Sequence, residues 1–171
     1  GFIYCQGRLG TGKINELLNK EYNRAMEKQK YNIRVMDFST SPGPRYTNQG
    51  EDSGESYYHD VLNEEFNKAI NNNMVLVVDL DGPDGYASSF LDEAFGNLIY
   101  DFGVAFVKVH LEIKSNEEPE WIEMLTSDTF EKWETRRNNN QQPIVTTSHK
   151  AWARLHDGKI EERQWISYSG K

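Results

Sequence analysis

A single cysteine, Cys5, stands in this chain, so no intramolecular disulfide and no cysteine-based zinc site can form, and a reducing compartment is expected. Long apolar runs are also missing. None approaches the roughly 20 residues needed to cross a bilayer, and no charged-then-apolar secretion signal opens the sequence. The expected location is cytoplasmic. Basic charge is scarce, with 19 Lys and Arg against 27 Asp and Glu and a net charge of −8. General nucleic-acid binding depends on neutralising phosphates, so it is not expected. The four histidines, His59, His110, His149 and His156, are scattered without HExxH or paired spacing, so neither a metal centre nor a cofactor is expected.

What is present suits one α/β domain. A chain of 171 residues is long enough to bury about two thirds of the surface that its unfolded form would expose. Met74 to Leu80 is a nearly unbroken apolar run of strand length, as a central strand covered on both faces would be. Asp81-Gly82-Pro83-Asp84-Gly85 stops it with turn residues. From Ser88 or Ser89 onward, Phe90, Leu91, Ala94, Phe95, Leu98, Ile99 and Phe102 keep the rhythm of a helix with one buried face. The serines then begin that helix, where a hydroxyl can cap free N–H groups or sit beside a bound anion.

Five short blocks in one order carry a family resemblance: Asp37-Phe-Ser39, Pro42-Gly43 with Arg45-Tyr46, Ser53-Gly-Glu55, Val78-Asp-Leu-Asp-Gly82, and Ser88 through Gly96. From about Tyr31 to about Thr126 the chain resembles the STAS-like domain family of unknown function. The resemblance implies a fold and a site at the strand-to-helix loop. In better understood STAS relatives a serine there is phosphorylated, and its charge decides binding to an ATP-binding, kinase-like partner. The comparable hydroxyls are Ser88 and Ser89, preceded here by Tyr86-Ala87 and followed by Phe90, where phosphoswitch relatives usually carry aspartate and glycine.

The rest of the chain is arranged around that core. Phe2 to Cys5 is a short strand candidate, Asn15 to Lys30 an amphipathic helix, and Tyr31 to Phe38 a strand. Residues 40–52 form a polar loop. Asp52 and Glu55 have capping-box spacing before a helix whose buried face runs from Tyr57 to Ile70. Val104 to Ile113 alternates as a strand, and Pro119 to Arg137 is helical with a break near Ser127-Asp128. Ile144 to Thr147 is a further strand, and Asp157-Gly158 joins two more in a type I′ hairpin. The expected organisation is an N-terminal strand–helix extension (1–30), a STAS-like α/β domain (31–137) with a mixed sheet and helical crossovers, and a C-terminal β-hairpin extension (143–171) packed on the same domain. Residues 132–171 hold eight Lys or Arg against four Asp or Glu, which leaves −12 on the first 131 residues. The tail could meet an acidic partner, or these charges are simply solvated.

The candidate binding set is Arg45, Tyr46, Ser53, Asp79, Asp81, Gly82, Tyr86, Ser88, Ser89 and Glu93. Arg45 offers a planar fork for a carboxylate or phosphate, and the helix start offers N–H groups. The structural alternative has Asp81 and Ser88 capping turns while Arg45 pairs internally. Gly7-Arg-Leu-Gly-Thr-Gly-Lys13 has phosphate-loop spacing, with Gly7, Gly12 and Lys13 as its key positions, but Ile14 replaces the hydroxyl that would hold magnesium. A carboxylate enzyme using Asp81, Glu93 or His110 lacks a recognised triad. The expectation is a non-enzymatic regulatory or protein-interaction domain, controlled by phosphorylation or anion binding, with an ATP-binding kinase-like protein as partner and homo-oligomers allowed. The alternatives are a sensor of a small anionic ligand or nucleotide, a hydrolase, and a phosphate-loop nucleotide-binding protein.

Overall fold

The apolar run at Met74 becomes the middle of a parallel sheet. A computed structural model describes residues 10–170, leaving aside the side chains of 22–26. Strand β1 (Gln29–Arg34) pairs with β2 (Met74–Asp79), and β2 pairs with β3 (Leu111–Lys114), in the order β1-β2-β3. Tyr31 lies opposite Leu76, and Leu76 opposite Leu111. Side chains alternate across a strand, so Tyr31, Ile33, Leu76, Val78, Leu111 and Ile113 share one face and join the core. The other face carries Lys30, Asn32, Arg34, Val75, Val77, Asp79, Glu112 and Lys114.

Helical crossovers link the strands, as parallel pairing requires. Between β1 and β2 run α2 (Gly54–Tyr57), a π-helical turn (Tyr58–Leu62) and α3 (Asn63–Asn71). Asp52 does not cap this helix. Its backbone is left-handed (φ 52°) and its carboxylate accepts from the Ser39 hydroxyl at 2.7 Å, while Ser53 takes the cap by accepting the Ser56 N–H at 3.0 Å. Between β2 and β3 lie α4 (Ser88–Phe102) and α5 (Val104–His110). Every residue of α4 from Phe90 onward is buried, because α2, α7 (Phe130–Asn138) and the C-terminal hairpin surround it.

Residues 104–110 are helical rather than extended, and β3 is only the end of the strand expected there. Gly103 (φ 83°) closes α4, Glu134 accepts the Val104 N–H at 2.7 Å, and Phe106 stacks on Phe102 at 5.9 Å. These tertiary contacts outweigh a β-branched alternation. The break near Ser127 is a π-helical turn, Leu125–Thr129, between α6 (Glu120–Met124) and α7. Residues 144–147 are not a strand; the Thr146 N–H and hydroxyl instead bond the Glu55 carboxylate at 2.8 and 2.6 Å. Strands β4 (Trp152–His156) and β5 (Lys159–Arg163) form the hairpin, with Asp157 (φ 51°) and Gly158 (φ 78°) in the left-handed conformations that a type I′ turn needs. Parallel and antiparallel pairing are thus divided between the three-stranded sheet and this separate pair.

Helix α1 (Thr11–Met26) precedes β1 and leaves Ile14, Leu17 and Leu18 exposed. The strand candidate at Phe2–Cys5 lies outside the described residues. No helix among the described residues is long and apolar enough to cross a membrane.

Candidate functional site

The junction between β2 and α4 is built by short-range polar bonds. Asp79 accepts the Asp81 N–H at 2.9 Å, which turns the chain at the end of the strand. Asp81 in turn accepts the backbone N–H groups of Asn116 (3.0 Å) and Glu117 (2.9 Å), tying the loop after β3 to the loop after β2. Gly82 (φ 111°) donates to Glu117, and its missing Cβ leaves room for the Met36 side chain. Tyr86 donates to the Leu80 carbonyl at 2.6 Å; burial beside Asp79 and Asp81 pushes its phenol well up, so it stays a donor.

Ser88 and Ser89 form the first turn of α4. The N-cap residue is Ala87, which supplies no side-chain cap, and neither serine hydroxyl bonds a described residue. Ser88 is exposed and Ser89 half-buried. The start of this 15-residue helix therefore presents open N–H groups beside two hydroxyls, in the positive end of the helix dipole.

Arg45 reaches α4 one turn further on. Its guanidinium donates to Asp92 at 2.7 Å and to Glu93 at 3.0 Å. Burial alone would lower the Arg45 pKa, but these carboxylate bonds hold it above its usual value. Burial opposes ionisation of Asp92 as well; Arg45, Lys132 and Thr129 overcome it and hold that carboxyl below the ordinary range. Glu93 is more enclosed, and burial raises its pKa despite Arg45 and Asn97. One nitrogen of Arg45, Nη1, is thus shared between two of the protein's own acids. Tyr46 is half-buried beside it, and Ser53 is consumed as the α2 cap and by contact with the Thr47 hydroxyl at 2.9 Å.

The structure brings Asp81, Gly82 and Tyr86 together at one turn and Arg45 together with Glu93 at another. It gives Asp81, Glu93 and His110 three separate sets of partners, His110 meeting Lys28 at 3.1 Å. In the phosphate-loop candidate, Gly12 and Lys13 lie in the exposed first turn of α1, and Gly7 falls outside the described residues.

A second polar centre escaped the sequence reading. The Glu55 carboxylate, 1% exposed, accepts from Thr47 N–H (3.0 Å), Thr146 N–H (2.8 Å), Thr146 hydroxyl (2.6 Å) and His149 Nε2 (2.6 Å). Burial would raise its pKa; those bonds overcome burial and pull it to about 2. His59 stacks on His149 at 3.8 Å and meets Trp152 in a T-shaped contact at 4.6 Å, and its Nδ1 is buried without a partner among the described residues. Burial, reinforced by His149, lowers the His59 pKa to about 3. Further along, Asn63 donates to the Ala153 carbonyl and accepts its N–H, both at 2.9 Å, and Arg154 donates to buried Asp101 at 2.6 Å. Together these bonds fasten residues 146–154 to the helical layer. Glu55 carried a capping signal and His59 sat on an apolar helix face; nothing in their spacing linked them to partners some 90 residues away.

Residues 60–121, a little over a third of the chain, match the family model described as STAS-like domain of unknown function (DUF4325). The matched span runs from within the first π-helical turn through β2, the junction, α4, α5 and β3 into α6. It contains Asp81, Gly82, Tyr86, Ser88, Ser89 and Glu93, and leaves Arg45, Tyr46, Ser53 and Glu55 outside. No curated protein and no solved structure matches the chain.

Proposed function

We propose that this chain is a non-enzymatic regulatory domain that recognises a protein partner at the junction of β2 and α4, with the charge on Ser88 or Ser89 setting the affinity. The observation that carries this reading is the uncapped start of α4, where two hydroxyls without partners among the described residues stand at the positive end of a long helix. The other candidates at the site are engaged internally: Asp81 by two backbone amides, Tyr86 by a carbonyl, Arg45 by two carboxylates. An anion-sensor reading is weakened, because Arg45 Nη1 is already committed to two carboxylates. A phosphate on Ser88 would add close to two negative charges at the N–H end of α4 and change what the surface can pair with. The STAS-like match makes an ATP-binding, kinase-like protein the partner class to try first, acting in trans.

The test starts from affinity capture with wild type and with Ser88→Glu/Ser89→Glu, followed by titration of the purified captured partner against both. The expected result is a change of about tenfold in Kd, the scale of one or two charge-assisted contacts. Equal affinity of the two baits rules the switch out.

A further inference from the structure

We propose that β3 is a self-complementary edge through which two copies of this chain join their sheets into one of six strands. Among the described residues β3 has no neighbour on its outer side. The Lys114 carbonyl accepts from the Leu80 N–H at 2.8 Å and so points inward, past the end of β2. Backbone groups alternate along a strand, so the N–H and carbonyl of Ile113 point outward. At Leu111 the N–H is taken by the Val107 carbonyl, which leaves the Leu111 carbonyl available. Beside this edge lies an open groove of about 280 Å³ lined by Lys108, Leu111, Ile113, Ile122, Thr126 and Phe130. Val109, just before the strand, is 60% exposed.

The side chains on the open face say what fits there. Setting a second β3 antiparallel, with the two-fold axis at Ile113, makes Ile113 the hydrogen-bonded pair, the two copies exchanging both bonds. Each Leu111 carbonyl then meets the Ser115 N–H of the other copy. Glu112 of each copy falls opposite Lys114 of the other, in the non-hydrogen-bonded positions where cross-strand side chains are closest. The pairing is isologous, so one favourable match occurs twice. Glu112 already meets Lys30 at 3.2 Å, whereas Lys114 meets no acid among the described residues. The other outer strand lacks this property: antiparallel self-pairing centred on Asn32 of β1 would set Lys30 against Arg34. Charge therefore selects β3 over β1, and the apolar groove beside β3 supplies surface to bury.

Sedimentation equilibrium on the full chain tests the proposal. Wild type is expected to be a concentration-dependent dimer. Lys114→Glu and Glu112→Lys each turn two attractive pairs into repulsive ones, and each should raise the dimer Kd about tenfold or more. The double swap Glu112→Lys/Lys114→Glu restores the match and should return the Kd to near the wild-type value. An equimolar mixture of the two single variants should associate, since one then offers two lysines and the other two glutamates. A monomer at every concentration, a dimer indifferent to the single reversals, or a double swap that fails to recover would overturn it. So would an association abolished by Leu17→Ser/Leu18→Ser and insensitive to Lys114→Glu, because the interface would then lie on α1.

Discussion

Replacing His59 with phenylalanine should make the fold markedly less sensitive to mild acid. In the unfolded chain His59 takes a proton near its ordinary pKa of 6.5, whereas in the folded chain burial and the His149 ring stacked on it hold that pKa at about 3, with Glu55 only partly offsetting them. Trp152 and Tyr58 meet the ring at near-right angles and offer no charge. Between pH 6.5 and 3 the unfolded state therefore binds one more proton than the native state, so stability falls as pH falls through that window. At pH 4.5 the loss assigned to His59 is about 2.7 kcal/mol, two pH units at about 1.36 kcal/mol each, taking the folded pKa of about 3. Glu55, with a folded pKa of about 2 against 4.5, adds its own loss mainly below pH 4.5. Asp101 works the other way: burial raises it to about 6, so the native state binds the extra proton there. Both are common to wild type and His59→Phe and cancel in the comparison. Urea unfolding at pH 7.0 and 4.5 reads the difference. The drop in unfolding free energy should be smaller in His59→Phe by about 2–3 kcal/mol. The variant also removes the unpartnered buried nitrogen, so it should not be much less stable at pH 7.0. Equal drops in the two proteins would refute a buried neutral His59 as the cause.

Two further substitutions probe how α4 is held. Gly96→Ala would place a methyl 2.1 Å from Trp133 Cε2, so overpacking should cost at least about 2 kcal/mol despite the better helix propensity of alanine, measured by chemical denaturation; an unchanged midpoint would show that the Trp133 ring yields freely. Arg45→Ala leaves Asp92 and Glu93 without their shared cation, and a loss of about 3 kcal/mol is expected; both bonds leave one nitrogen, Nη1, so Arg45→Lys, which supplies a single ammonium, should recover a large part of that loss, and no recovery by lysine would refute a point-charge role.

Much of the fold was legible because it rests on local pattern. The run Met74–Leu80 has strand length, β-branched residues and turn residues directly after it, which together favour a buried strand, and Asp-Gly at 157–158 could satisfy two left-handed positions in a two-residue turn. The junction was legible for the same reason: turn residues must follow the strand, and the helical rhythm restarts at Ser88. The STAS-like match falls on this locally written part of the chain. Residues 104–110 carry a strand pattern because Ala105, Val107 and Val109 alternate, whereas Gly103, the Glu134 cap and the aromatic stack on Phe102 hold them in a helix.

Chemistry-bearing side chains divide along the same line. Sequence alone determined which residue types stand at the junction and that Ser88 and Ser89 begin a helix, since periodicity and turn chemistry act within a few residues. Tertiary structure decided that Arg45 spends Nη1 on Asp92 and Glu93, that Glu55 gathers Thr47, Thr146 and His149, and that β3 ends the sheet among the described residues. The Arg45 and Glu55 centres join residues 47 to 94 positions apart in the chain, through Asp92, Glu93, Thr146 and His149. No local preference encodes such a pairing: it exists only once the core has closed and each buried charge or free backbone group has found, or lacks, a partner within about 3 Å.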